Sequence, residues 1–527
     1  MTTGPKDRIP SLVMDRRAIL KASAVAGASL FVPGLGVMAF AQGAPQPQRG
    51  GHLILGLDTA SSSDSLDPAL YTEAYMYTVG FQLFNTLVEI DETGKIVPSL
   101  AESFEPVKAD GSAWRFKLRP GVQFHNGKEL TAADVIYSIN HHRGADSPSG
   151  GKGQLLAVTD LKAEGTNAVV FELSSGNVDF PAALTDYHLG IGPEGGDFAK
   201  GVGTGAFQLE SFQPGVRALT KRFSNHWNPN RGFVDSVETL AMNDATARLA
   251  AVISGQVHAI NRVEPRMLAR IKAMPQVTVH STTASTMHCF PMRLDQKPFD
   301  NPDARLALKY AIDREAIVKT VMGGVGQVGN DNPIAPWNPY FAADLPKHTY
   351  DPDKARFQAQ KAGLSGPIQL SAADNGFPGA VDAAQLFQVS AKAAGIDISV
   401  NRVPSDGYWD EVWMKHAFCA SNWSVRPTAD AMLSLVFASD APWNETGWKR
   451  PDFDAKLIAA RSEFDEAKRK QLYHDLQLML VEDGGEIIHA FADSQVATSA
   501  KLVGVTDVPG GGDLSGYRLP EKVWFAS

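Results

Sequence analysis

"PSLAESFEPVKADGSAWRFKLRPGVQFHNGKELTAADVIYSI", Pro98 to Ile139, holds three kinds of local structure in one short run. At its centre Trp114, Phe116 and Leu118 alternate with Arg115 and Lys117, the period of a strand with one buried face. "RPGVQFHNGKEL" follows and is rich in turn-formers. Thr131 then stands where a helix N-cap belongs, with Asp134 three positions on, and "AADVIYSINHH" continues as a helix. The reading is a mixed α/β domain.

The same alternation of elements extends in both directions. After a loose "QGAPQPQRG" comes the apolar strand "HLILGL". In "TEAYMYTVGFQLFNTLVEI", Tyr75, Val79 and Leu83 recur at helical spacing before a strand. "ATARLAAVISGQVHAI" predicts a helix, a stop at Gly255 and a strand. Further on, "NPDARLALKYAIDREAIVKTVM" and "FDAKLIAARSEFDEAKRKQLYHDLQLMLVEDG" predict helices, the latter with Leu457, Leu472, Leu476 and Leu480 on recurring faces. No internal repeat or low-complexity domain is present.

The N-terminus has a different character. "MDRRAILK" precedes the uncharged "ASAVAGASLFVPGLGVMAFA", which ends in Ala39-Phe40-Ala41. Basic residues, an apolar run and an A-x-A end are the parts of a cleavable export signal. Arg16 and Arg17, with Ile19, Leu20 and Lys21, resemble the twin-arginine motif, although Asp15 takes the place of the usual Ser or Thr. A membrane anchor is the contrary reading, and Gly27, Pro33, Gly34 and Gly36 interrupt the run it would need. We expect export to the periplasm with cleavage near Ala41, no lipid anchor, and a true start at Met1 or Met14.

Composition bounds what remains. A chain of 527 residues is too long for one ordinary domain even without its leader. The net charge is −9 overall, and the leader is itself basic, so the remainder is more acidic still. That argues against nucleic acid as a partner. The two cysteines, Cys289 and Cys419, both lie in apolar contexts and read as buried thiols, with one disulfide as the alternative.

Taken together, these segments resemble the solute-binding proteins of ABC importers, family 5, the group of dipeptide-, oligopeptide- and nickel-binding proteins. The likeness rests on the Pro98–Ile139 stretch, on "GTGAFQLESFQPG" with "FSNHW", and on "LDQKPFDNPDARLALKYAIDREAIV". "YDPDKARFQAQKAG" and "FDAKLIAARSEFDEAKRKQLYHDLQ" complete it, in the family order. The resemblance implies a periplasmic-binding-protein-like clamshell of the cluster C type: two hinged lobes plus an extra domain. Lobe I would comprise residues 42–84, 204–285 and 497–527, lobe II (the extra domain) residues 85–203, and lobe III residues 286–496. It further implies a monomer without enzymatic activity, cofactor or resident metal, which captures a small solute and delivers it to ABC permease and ATPase subunits. Peptides or peptide-like solutes come first. Oligosaccharides, opines and metal chelates are the alternatives.

The resemblance also sharpens one segment, "SNWSVRPTAD", Ser421 to Asp430. In peptide-binding relatives, aspartates follow the matching tryptophan, and one of them holds the peptide ammonium. Here Trp423 matches the tryptophan and Asp430 a late aspartate, but Arg426 stands between them with no acid beside it. A guanidinium is a rigid fork of donors suited to carboxylate or phosphate, so an anionic head group is favoured. Two placements stay open: Arg426 facing ligand, or Arg426 paired with Asp430 inside its own loop. The expected ligand contacts are Arg426, Trp423, Asn422, Tyr75, Trp409 and Asp430. Trp413 and Trp443 are further aromatic candidates, and Arg293 a further anion contact.

Enzyme readings find little footing. "GVGQVG", Gly324 to Gly329, satisfies G-x-G-x-x-G but follows a helix and runs into "NDNP", so the strand-turn-helix setting is missing. There is no H-E-x-x-H, G-x-S-x-G or C-x-x-C. His141 and His142 are adjacent and point apart on a helix, and only His288 and His416 are loosely plausible as cleft ligands for a metal. A secreted glycosidase is the contrasting class. With 58 acidic residues a pair of carboxylates can be found anywhere, so such a pair decides nothing.

Overall fold

The computed structural model describes residues 46–144, 146–373, 376–405, 408–424, 426–441 and 443–526. The export signal expected over residues 1–41 lies outside them. No helix among the described residues is long and apolar enough to cross a membrane.

Nine strands form the main sheet: β1 (His52–Leu57), β2 (Phe207–Gln213), β3 (Arg217–Arg222), β4 (Ser236–Ala241), β5 (Ala259–Ile260), β6 (Val277–Pro291), β7 (Gln327–Val328), β8 (Ser421–Ser424) and β9 (Glu486–Ser499). Their order is β8-β6-β9-β5-β1-β4-β3-β2, with β7 paired to β9. β1 lies between β4 and β5 and is parallel to both; the other pairings are antiparallel. Five helices matter to the site: α1 (Ala74–Leu83), α2 (Ala132–His141), α3 (Ala429–Val436), α4 (Pro451–Ser462) and α5 (Glu466–Asp483).

Three regions have their own apolar cores. Tyr75, Val79 and Leu83 of α1 are fully buried against Leu53, Leu55 and Leu57 of β1 and Val237 of β4, as their spacing predicted. Each such side chain is worth about 1.5–3 kcal/mol when taken out of water. A second core belongs to the antiparallel sheet Ala101–Pro106, Ala113–Leu118, Ala168–Leu173, Val158–Ala163. There Trp114, Phe116 and Leu118 point inward while Lys117 is exposed, and α2 opens with the Asp134 carboxylate accepting the Thr131 N–H at 2.8 Å. Residues between 284 and 491 supply the remaining large cores.

The "GTGAF" segment has a steric reason for its glycines. A Cβ on Gly203 would lie 2.1 Å from the Leu83 carbonyl oxygen, and one on Gly205 2.2 Å from that of Gln82. The chain crosses the end of α1 so closely that Gly205 N–H donates to Leu83 O at 2.8 Å and caps it.

β6 and β9 carry the sheet from one side of the molecule to the other. Their ladder runs from Val277 opposite Ser499 to Pro291 opposite Glu486. One end joins β5 through Ala259 and Thr498, and the other is extended by β8 through Met287 and Trp423. Midway, between Thr282 and Thr286, the register breaks. Ala284 sits there at φ 47°, a left-handed conformation that costs a non-glycine residue. The Asp493 carboxylate holds it, accepting the Ala284 N–H at 2.8 Å and the Ser281 hydroxyl at 3.3 Å. An interrupted ladder is where two long strands bend.

Candidate ligand cleft

Parallel strands with a reversal of order between them leave a crevice at their carboxyl ends. Here those ends are Asp58 after β1 and Asn261-Arg262 after β5. The Asp58 carboxylate accepts from Asn261 Nδ2 at 2.7 Å and lies 3.6 Å from both Arg248 and Arg262. Arg248 is committed elsewhere, donating to the Met242 and Asn243 carbonyls. Arg262 is half exposed and also lies 3.3 Å from Glu73, the residue preceding α1. Burial raises the Glu73 carboxyl, and Arg262 partly offsets that.

A tyrosine wall stands on the same floor. Tyr77 stacks on Tyr187 at 3.6 Å between ring centres, and Tyr517 meets both edge-on at 5.2 and 6.0 Å. Tyr517 closes a run, Leu514 to Tyr517, in which every residue has positive φ. That turn buries Asp513, which is 6% exposed: Oδ2 accepts the Ser494 hydroxyl at 3.4 Å, and Oδ1 has no partner. Burial pushes the Asp513 carboxyl up to about 6, against the pull of Arg262.

Arg426 comes from the opposite side, on the turn between β8 and α3. Thr428 caps α3, its hydroxyl accepting the Ala431 N–H at 3.1 Å. The Asp430 carboxylate accepts from Arg461 Nε at 2.9 Å and from the Ser434 hydroxyl at 3.1 Å. Asp430 is therefore paired with Arg461. Arg426 has no ion pair among the described residues, and its Nε is shielded from solvent without a hydrogen-bond partner. It lines a small cavity with Pro333, Ile334, Ala335, Asn338, Thr428 and Met432. Across the gap it is near enough to Tyr77 to favour that phenolate, though burial dominates and pushes the hydroxyl up to about 12.

The other expected contacts are spread out. Tyr75 is fully buried with its hydroxyl on Thr239 O at 3.1 Å, so it faces the core, whereas Tyr77 is half-buried and stacks on Tyr187. Trp423 is buried and donates to Glu445 Oε1 at 2.5 Å, while Trp413 donates to the other oxygen. Asn422 is half-buried and donates to the Gly376 carbonyl. Trp409 is 39% exposed, edge-on to Trp413, and Trp443 tilts against Trp423 at 5.9 Å. Arg293 is taken by Asp295 and the Met414 carbonyl. His288 is buried against Phe377, which lowers its pKa to about 3, and His416 hydrogen-bonds Ser371. Cys289 and Cys419 are both free and buried.

Beneath the tryptophans lies a buried acid cluster. The Cys289 sulfur and carboxylate oxygens of Glu445 and Glu486 all lie within 4.8 Å of one another. Burial, followed by Glu445, drives the Glu486 carboxyl well above its ordinary range. Both Glu486 oxygens are buried without a hydrogen-bond partner, which favours the neutral acid over the carboxylate.

The family model for "Bacterial extracellular solute-binding proteins, family 5 Middle" matches residues 95–445. The chain belongs to this family. Among curated relatives, the solute-binding protein is similar to the dipeptide-binding protein of Escherichia coli, at 27% identity over 476 residues, covering 81% of this chain and 87% of the relative. Among solved structures it is similar to DppA from Helicobacter pylori in complex with the peptide STSA. That match has a TM-score of 0.75 and 22% identity, covering 91% and 99% of the two chains. AgaA from A. tumefaciens in complex with agropinic acid gives a TM-score of 0.76 and 22% identity, covering 90% and 99%. These likenesses establish the two-lobed binding-protein fold.

Proposed function

We propose that this solute-binding protein captures a peptide or peptide-like solute with an anionic group between its two lobes and presents it to an ABC permease. The observation that carries this reading is Arg426, which has no ion pair among the described residues and whose Nε is shielded from solvent without a hydrogen-bond partner. A half-buried guanidinium lacking its acid is stabilised by an anion from outside. The names of the relatives agree: a dipeptide, the peptide STSA and agropinic acid all belong to carboxylate-bearing solutes. Opines remain the second reading for that reason.

The lobes are proposed with the boundaries expected from the resemblance, and the separate cores support that division. Ligand touching both sides shifts the equilibrium toward closure by its differential affinity. Export through a twin-arginine-like signal, cleavage near Ala41 and a monomeric periplasmic form complete the proposal. Mild unfolding of the purified protein, then mass spectrometry of the released solutes, tests it. A released compound without an acidic group, or detectable turnover of a released glycoside, overturns it.

A contact away from the cleft also joins two of the cores. Val178 N–H donates to the Arg461 carbonyl at 2.8 Å, and Asp179 pairs with Arg469, whose guanidinium lies over Tyr340 and Tyr473. Asp179→Ala is expected to destabilise the protein by about 3 kcal/mol, since it strands a buried cation. Adding Arg469→Leu should recover most of that loss. Urea unfolding of the single and double variants measures both; equal stability of the single variant and the parent refutes it.

A further inference from the structure

The floor of the gap is short of positive charge. Asp58, Glu73 and Asp513 supply three carboxylates, while Arg248 and Arg262 are the guanidiniums beside them. Both arginines lie against Asp58, and Arg262 also reaches Glu73. Asp513 keeps one long hydrogen bond from Ser494, and its Oδ1 is unpartnered although the residue is more than nine-tenths buried. An isolated buried carboxylate oxygen is costly unless a donor reaches it. Tyr517 N–H donates to the Asp513 carbonyl at 2.8 Å, and its ring meets Tyr77 edge-on at 5.2 Å, so both rings stand beside this turn. Aromatic faces beside carboxylates suit a cation.

We infer that Asp513, flanked by Tyr77 and Tyr517, receives the ammonium of the ligand while Arg426 receives its carboxylate, so that the solute is a zwitterion held between the two lobes. This rests on the proposed role of Arg426 and adds the opposite end of the ligand. It also reverses the polarity expected from the family resemblance, in which an aspartate after the matching tryptophan holds the ammonium. A zwitterion laid across the gap ties one lobe to the other by two charge-assisted contacts, neither of which the open protein satisfies by itself.

Matched triplets test it: dipeptides of several sequences, each as the free zwitterion, its N-acetyl form and its C-terminal amide. Thermal unfolding of the unaltered protein should show stabilisation by some parents and far less by either capped form. Asp513→Asn should then weaken the best parent about ten- to a hundredfold in calorimetry, with its N-acetyl form unchanged. N-acetyl forms that stabilise as well as their parents overturn the ammonium site and leave Arg426 standing. Amides that stabilise as well overturn Arg426 instead. If no parent stabilises the protein, both fall.

Discussion

Arg426→Ala is expected to weaken ligand binding at least a hundredfold while moving the unfolding temperature by no more than a degree or two. The two effects separate because the guanidinium has no internal ion pair among the described residues, so truncating it breaks none. In the closed complex it strands the ligand's anion, a loss of about 3–5 kcal/mol. Arg426→Lys keeps the charge but loses the planar fork, and should fall between the two. Calorimetry with the solute released from the parent protein checks both variants. Parental affinity in Arg426→Ala would remove the anion site from the proposal.

The second large effect concerns pH. Glu486 is protonated in the folded protein at pH values where the unfolded chain has already lost that proton, because its folded pKa lies well above the ordinary range. Stability from this group is therefore complete below the ordinary glutamate value of about 4.3, and is lost as pH rises toward the folded pKa. One proton contributes a slope of about 1.4 kcal/mol per pH unit over that window. Glu486→Gln cannot ionise and keeps the size and shape of the side chain. We expect the variant to match the parent near pH 4.5 and to exceed it increasingly as pH rises to 8. Urea unfolding at both values decides it, and parallel pH profiles for the two proteins would refute the raised Glu486 pKa.

Local elements were legible in the sequence because local physics sets them. Trp114, Phe116 and Leu118 fall on the buried face of a strand, Thr131 opens a helix with Asp134, and Gly255 ends one at φ 78°. The site was legible only in part. Arg426 stood out because its neighbours offered no acid, and the structure gives Asp430 to Arg461, a residue 31 positions away. Tyr77 was available to the same helical argument that chose Tyr75. With Tyr75, Val79 and Leu83 defining the core face, a residue two positions from Tyr75 points the other way. Trp423 shows the limit of residue type: an indole lining a pocket and one hydrogen-bonded to a buried Glu445 look the same in a string of letters. Asp513 and Arg262 lie about 250 positions apart and reach the same end of the sheet because β5, which Arg262 follows, pairs with β9, whose Ser494 holds Asp513, an order that no local pattern encodes.

The break at Ala284 bears on what a transporter can read. Since β6 and β9 remain laddered to each other on both sides of it, the halves share one spindle, and sliding them apart would tear hydrogen bonds on either flank. Turning about that spindle is the inexpensive motion. Under the proposed function, occupancy would then be carried by a single angle, legible from the outer faces without any contact with the cargo.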